Sequence, residues 1–374
     1  MNALQELRSK LDDTQISTDP STLGEYGRDW TRYYEPKPSA ILFPKSADQV
    51  REIILWARRH KVPLVPSGGR TGLSGAAVAA KNEVVVSFEK MNRILDFNDI
   101  DQTVTVEPGV ITEDLQNFAR EKGLYFPVDF ASRGSSQIGG NVATNAGGIK
   151  VIRYGLMRNW VTSLKIVTGR GDELELNKNL IKNATGYDLR QLFIGSEGTL
   201  GMVTQVTVKL TQAPAANSLF LLGVADLDAV MKVFNLFRSR CQVTAFELFT
   251  DKALRHVLAA FGELQKPFPT DAPVYLLVET ETVNEDETQK ALETFEHGMS
   301  EGWILDGVLS QNETQSRSFW RLREDITEAL SKYTPYKNDI SVVVSKVPPF
   351  MHEIDRVFKT EYPDLEIIWF GHIG

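Results

Sequence analysis

Apolar positions recur with two different periods along this chain, and the change of period marks its layout. From Ala47 to His60 the apolar Val50, Ile53, Ile54 and Ala57 fall at helical spacing, behind Ser46, a residue suited to cap a first turn. The runs Val62–Pro66 and Glu83–Phe88 predict short strands, Thr103–Gly109 a strand ending in a turn, and Thr112–Lys122 a helix stopped at Gly123. Further on the period becomes two. Leu164 and Ile166, then Leu174 and Leu176 across the turn Gly169–Asp172, predict a hairpin, and Val206, Val208 and Leu210 mark a strand whose Thr207 and Lys209 face water.

Gln212–Asn217 reads as a linker, placing one domain at 1–212 and a second at 213–374. Past it come a strand (Ser218–Val224), a helix (Asp226–Arg238), strands Val243–Phe249 and Val274–Glu279, a helix (Glu285–Met299) and a strand (Ile304–Leu309), with an extra helix after Thr250. That β-α-β, β-α-β order predicts a split βαβ, ferredoxin-like layer of helices on an antiparallel sheet. The fold class is therefore α+β. Asn312–Ser331 should form one long helix with Phe319, Leu322, Ile326 and Leu330 as its buried stripe.

Charge and composition narrow the partners. With 41 Lys+Arg against 49 Asp+Glu the net charge is −8, and without a basic run the chain is a poor candidate for nucleic acid or an anionic membrane. Cys241 is the only cysteine, which excludes a disulfide scaffold or a cysteine-built metal cluster within the chain. The first residues, from Met1 to Lys10, read as an amphipathic helix rather than an export signal, and no run has the length of a membrane span. A cytoplasmic protein is expected, with peripheral contact to a membrane left open.

The chemistry begins with two glycine-rich stretches, Pro66-Ser-Gly-Gly-Arg-Thr-Gly-Leu-Ser-Gly75 and Gly139-Gly-Asn-Val-Ala-Thr-Asn-Ala-Gly-Gly148. They read as two backbone walls around one phosphate-bearing cofactor: main-chain N–H groups can turn inward, and Ser67, Thr71, Ser74, Asn141, Thr144 and Asn145 can add side-chain hydrogen bonds. Neither fits a P-loop or a dinucleotide-binding fingerprint. Glycines that merely serve turns are the plain alternative. On the expected long helix, Arg323 and Thr327 stand four apart on one face, where a guanidinium and a hydroxyl can grip a carboxylate, and Lys337 could join them. Arg321, Glu324 and Asp325 nearby suit a solvated charged helix instead.

Pro66–Gly75, Ser136–Gly148, Arg153-Tyr-Gly155, Asn183–Leu189 and Gly195-Ser-Glu-Gly-Thr-Leu-Gly201, in this order and spacing, resemble the flavin-binding domain of FAD-linked oxidases of the PCMH, or vanillyl-alcohol-oxidase, type. The second block is similar to the substrate domain of the D-2-hydroxyacid dehydrogenase branch, which includes D-lactate and D-2-hydroxyglutarate dehydrogenases and the D subunit of glycolate oxidase. The resemblance implies that Pro66, Ser67, Gly68, Gly69, Arg70, Thr71, Gly72 and Ser74, with Gly139, Gly140, Asn141 and Thr144, hold the FAD pyrophosphate, while Gly198 and Val203 line the cofactor. Members that attach flavin covalently through the first loop carry His where this chain has Arg70, so non-covalent FAD is implied. It also assigns the substrate carboxylate to Arg323, Thr327 and Lys337.

Phe370-Gly-His-Ile-Gly374 resembles the start of the family's Gly-His-x-Gly-Asp-Gly-Asn-x-His motif, whose first histidine binds a divalent metal, typically zinc. That implies His372 as a ligand, with the remaining ligands and the base histidine expected beyond Gly374, and a chain cut at this point is expected to be inactive. The function implied for the intact protein is oxidation of a small D-2-hydroxy acid by hydride transfer to flavin N5. Electrons would pass to a quinone, an electron-transferring flavoprotein or a cytochrome, and a homodimer is a further expectation. Two rivals stay open: a non-catalytic FAD-binding subunit of a glycolate-oxidase-like complex, and an NAD(P)H-dependent reductase on the same flavin fold.

Overall fold

Alternation of short apolar strands with capped helices builds two compact units, one comprising 1–148 and 155–213, the other 149–154 and 214–374. The computed structural model describes residues 2–31, 33–214, 216–333 and 335–374.

Two sheets form the first unit. In one, β1 (Ile16–Ser17) lies antiparallel to β2 (Ala40–Leu42), which runs parallel to β4 (Val84–Ser87) and through it to β3 (Leu64–Ser67), in the order β1-β2-β4-β3. The helix Ala47–His60, capped by the Ser46 side chain at the Gln49 N–H, connects β2 to β3 and buries Val50, Ile53, Ile54, Trp56 and Ala57. Parallel strands need such a crossover, and their continuous apolar runs fit burial on both faces. The other sheet is antiparallel throughout, in the order β5-β6-β9-β7-β8: β5 (Ile94–Asn98), β6 (Thr103–Val106), β7 (Val161–Thr168), β8 (Glu173–Leu176) and β9 (Gly201–Lys209). The expected hairpin is β7 and β8, with Leu164 opposite Leu176.

The second unit centres on one antiparallel sheet, β13-β10-β12-β11-β14, made of β10 (Asn217–Val224), β11 (Gln242–Thr250), β12 (Val274–Glu281), β13 (Ile304–Leu309) and β14 (Phe370–His372). Its first four strands have the split βαβ order read from the sequence. Side-chain alternation sends Phe220, Phe246, Leu248 and Val278 to a core with the helices Leu227–Arg240 and Glu285–Ser300. Leu221, Phe249, Tyr275 and Leu277 meet the helices Asp251–Ala260 and Glu313–Glu324 on the other face. The segment 149–154 is fastened to this sheet by an ion pair of Lys150 with the buried Glu279, which also accepts from the Thr244 hydroxyl.

One expectation is corrected. The long helix ends at Glu324 and restarts as Ile326–Leu330, because Asp325 takes ψ near 0° with its carboxylate drawn back to Arg321 Nε at 2.8 Å. At the other end of the unit β14 is the edge strand of the sheet, paired with β11 on one side, and the residues around it send Ile368 and Phe370 to one core and Trp369 to the other.

Phe246 tests the second core. It is 1% exposed and meets Phe234 edge to face at 5.1 Å, so Phe246→Ala should destabilise by about 3–5 kcal/mol. Urea unfolding followed by tryptophan fluorescence measures the loss, and a cost below about 1 kcal/mol would contradict this packing.

Candidate functional site

The two glycine stretches, far apart in sequence, are neighbours in the first unit. A Cβ on Gly69 would lie 2.0 Å from the Ser135 carbonyl oxygen, so only glycine lets the first loop close on the segment that leads into the second. A Cβ on Gly68 would lie 3.5 Å from the Gly140 Cα and 3.6 Å from the Gln137 side chain. A third loop joins them: Gly195 and Glu197 donate their N–H groups to the carbonyls of Val142 and Ala143, and Gly198, at φ +76°, abuts the Pro66 ring. A cavity beside this junction is lined by Lys61, Pro66, Gly198 and Thr199, among others.

This junction has donors to spare. The N–H groups of Gly68, Gly69, Arg70 and Thr71 meet no acceptor among the described residues, and the space in front of Gly140 is open. The buried Ser67 Oγ and Gln137 Oε1 also lack a hydrogen-bond partner. Such orphaned groups call for a bound polar ligand, and an array of backbone N–H groups suits a diphosphate. The residues present therefore fit FAD.

Some expected side chains are spent elsewhere. Asn141 is buried, and its amide donates to Thr112 Oγ1 at 2.7 Å; the Thr144 hydroxyl donates to the Gly140 carbonyl at 2.9 Å. Their backbone N–H groups are spent as well, on the carbonyls of Gln137 and Gly140, because the second stretch folds as the short helix Ile138–Ala143. Val203 is buried within β9 opposite Ile166. Gly139 donates its N–H to the Pro108 carbonyl, while Gly72 and Ser74 are exposed. Arg70, at φ 58°, lays its guanidinium 4.0 Å from the centre of the Tyr26 ring. The Tyr26 hydroxyl is pushed up to about 12, first by burial and then by its hydrogen bond to Glu89, so it stays protonated. Sequence reading missed Asp29, a buried carboxylate whose Oδ2 accepts the Gly75 N–H at 2.8 Å and so pins the end of the first loop. The only sequence signal for it was its place before the loop.

The second unit gathers the three residues expected to meet a substrate carboxylate. Arg323 is buried, with its guanidinium 5.0 Å from the centre of the Phe370 ring; the Lys337 ammonium lies 5.2 Å from the same ring and donates to Thr327 Oγ1 at 2.9 Å. The solvated-helix alternative fails for Arg323. Burial lowers the pKa of Lys337, and the Arg323 charge lowers it further, while Asp339 opposes both.

Glu247, absent from the sequence reading, joins this group. It is fully buried on β11, with Oε2 2.7 Å from Arg323 Nη2 and Oε1 against His372 Nδ1. The arginine contact is close enough for an ion pair yet not aligned as a hydrogen bond, and both Glu247 Oε2 and Arg323 Nε lack an aligned partner. His372, expected to stand alone, thus has a carboxylate neighbour. No group of three His, Cys, Asp or Glu side chains among the described residues is placed to hold a metal ion. The donors present do not make the expected zinc site.

Comparison with known proteins gives the family. Residues 38–177 match the model of the FAD binding domain, and residues 213–374 that of the C-terminal domain of FAD linked oxidases. A D-2-hydroxyglutarate dehydrogenase of Stutzerimonas stutzeri is 58% identical over 99% of this chain and 80% of its own length. One from Xanthomonas citri pv. viticola is 50% identical over 96% of this chain and 76% of its length. The structure of a 4-ethylphenol oxidase from Gulosibacter chungangensis, 16% identical, covers 100% of this chain and 80% of that one with a TM-score of 0.77, a likeness of fold. The chain belongs to the FAD-linked oxidases, in their D-2-hydroxyacid dehydrogenase branch. No helix among the described residues is long and apolar enough to cross a membrane.

The loop junction makes a direct prediction. Gly68→Asp would put a carboxylate against the unpaired N–H groups and the Gly140 backbone, so the variant should fold but lose its FAD. Flavin absorbance of the purified protein reads this out; a variant as yellow as wild type would remove the first loop from the cofactor site.

Proposed function

We propose that the intact protein oxidises D-2-hydroxyglutarate, or failing that another small D-2-hydroxy acid such as D-lactate or glycolate, to the 2-oxo acid. FAD is held non-covalently at the junction of Pro66–Ser74, Gly139–Thr144 and Gly198, and the substrate carboxylate by Arg323, Thr327 and Lys337.

One observation carries the substrate assignment. Two cations, Arg323 and Lys337, converge on one ring, and a single buried carboxylate, Glu247, balances them. Asp339, the other carboxylate acting on Lys337, is exposed, so the sheltered groups keep an excess of positive charge and an unpaired Arg323 Nε–H for an incoming carboxylate. Such a grip fixes the acid by one end and orients its Cα–H. When bound, FAD supplies the hydride acceptor. Re-oxidation then falls to a quinone, an electron-transferring flavoprotein or a cytochrome. His372 is the expected metal contact, but the donors do not fit a site, so no step is routed through a metal. A non-catalytic subunit or an NAD(P)H reductase would have no use for this excess of positive charge. The preference for the five-carbon acid rests on the names of the two bacterial relatives.

Arg323→Ala should weaken binding by about 2–5 kcal/mol, since it removes a desolvated charged partner. Stopped-flow reduction of the bound flavin by D-2-hydroxyglutarate, D-lactate and glycolate measures the loss and ranks the acids. An unchanged apparent affinity would sink the carboxylate assignment, and no reduction by any of the three would sink the function.

Lys337 adds a pH dependence. Its pKa is lowered in the folded protein, so its charge is lost at lower pH than that of a free lysine. Carboxylate binding needs the ammonium form: affinity should be full below the lowered pKa and fall as pH rises through it. Folding responds with the opposite sign, because the folded state disfavours the charged form and that penalty is relieved over the same rise. Titration of 2-oxoglutarate affinity from about pH 7 to about pH 10 reads the effect, and Lys337→Arg should flatten it. Equal slopes in both proteins would exclude Lys337 as the source.

A further inference from the structure

We infer that Glu247 is a positioning residue of the substrate site, a shared buried anion that sets both the guanidinium of Arg323 and the imidazole of His372. This deepens the carboxylate-binding reading and rests on it.

Its placement follows from the sheet. Glu247 lies on β11 with Leu277 of β12 opposite on one side and His372 of β14 opposite on the other. Alternation along β11 sends it to the same face as Phe249, toward the helix that carries Arg323. A carboxylate with no solvent exposure in such surroundings is costly unless both oxygens are engaged. Each oxygen has its own partner: Oε2 meets Arg323 Nη2 and Oε1 meets His372 Nδ1.

The way each partner is held separates this from ordinary core pairing. A buried ion pair that serves stability alone would use the aligned, two-pronged geometry open to arginine and carboxylate. Here only Nη2 is approached, and Nε keeps an unpaired N–H although Arg323 is 8% exposed. The carboxylate thus anchors one corner of the guanidinium and leaves another for a ligand. At His372 the contact falls on Nδ1, so the carboxylate holds the ring by that nitrogen. One anion therefore fixes the direction of a donor and the setting of a ring. Neither Thr327 nor Lys337 can replace it, because Thr327 is a neutral hydroxyl and Lys337 carries the same charge as Arg323.

The test uses the full FAD-loaded chain. Glu247→Gln keeps volume and an acceptor but removes the charge; Glu247→Asp keeps the charge on a shorter arm. Affinity for 2-oxoglutarate is measured by flavin difference absorbance, the setting of the His372 ring by its imidazole nitrogen NMR signals assigned against His372→Asn, and folding by unfolding midpoint and FAD content. The expected result is that Glu247→Gln retains flavin, loses more than fivefold in affinity and shifts the His372 nitrogen signals, while Glu247→Asp recovers part of both. A loss below fivefold, unmoved His372 signals, or a binding loss matched by loss of folded protein in both variants overturns the proposal. Arg323→Ala is the control: if it too leaves affinity unchanged, the carboxylate-binding reading has failed, whereas loss in Arg323→Ala alone rejects only the role of Glu247.

Discussion

Charge removed from water is the constraint on which the second unit depends. Its sheet carries two buried glutamates, Glu247 fully buried and Glu279 nearly so. Ionised carboxylates persist in such places only with cations brought to them. Arg323 answers the first and Lys150 the second, and each cation comes from a segment distant in sequence. The helix break at Asp325, the seating of β14 and the attachment of residues 149–154 all lie around these two pairs.

The first unit handles charge in the opposite way. At the glycine junction the donors are mainly backbone N–H groups, and the nearby guanidinium of Arg70 rests on the Tyr26 ring. Dipoles fixed in position can stabilise a diphosphate without a buried cation, and hence without a desolvation penalty when the site is empty. The arrangement demands close backbone approach, as at Gly69, so residues without side chains carry the recognition. Asp29 shows how such a loop is supported: one oxygen of its buried carboxylate holds the Gly75 N–H while the other accepts from the Thr31 N–H and hydroxyl.

Under the proposed function the two units divide the chemistry of an FAD-linked dehydrogenase: one would offer backbone donors to the cofactor, the other cations to an acid. Burial lowers the lysine pKa and strengthens its attraction for a carboxylate, because low dielectric raises the value of each contact.

Much of this was legible in residue order. The period of three to four in Ala47–His60, the period of two in β7, β8 and β9, and the β-α-β, β-α-β succession are local patterns, and each places side chains on one face whatever lies opposite. The glycine stretches were equally visible, since glycine is the residue type that close approach requires. Arg323, Thr327 and Lys337 could be marked by type and spacing, but their burial could not, because it depends on Phe370 arriving from the far end of the chain. Glu247 gave no signal: among apolar neighbours on a strand it reads as an outward residue. The sequence by itself determined the elements, the cradle and the candidate grip, all of which follow from local geometry. Tertiary structure alone decided which charges lose their water and which partners they find, because desolvation and ion pairing are set by distance in space between residues far apart along the chain.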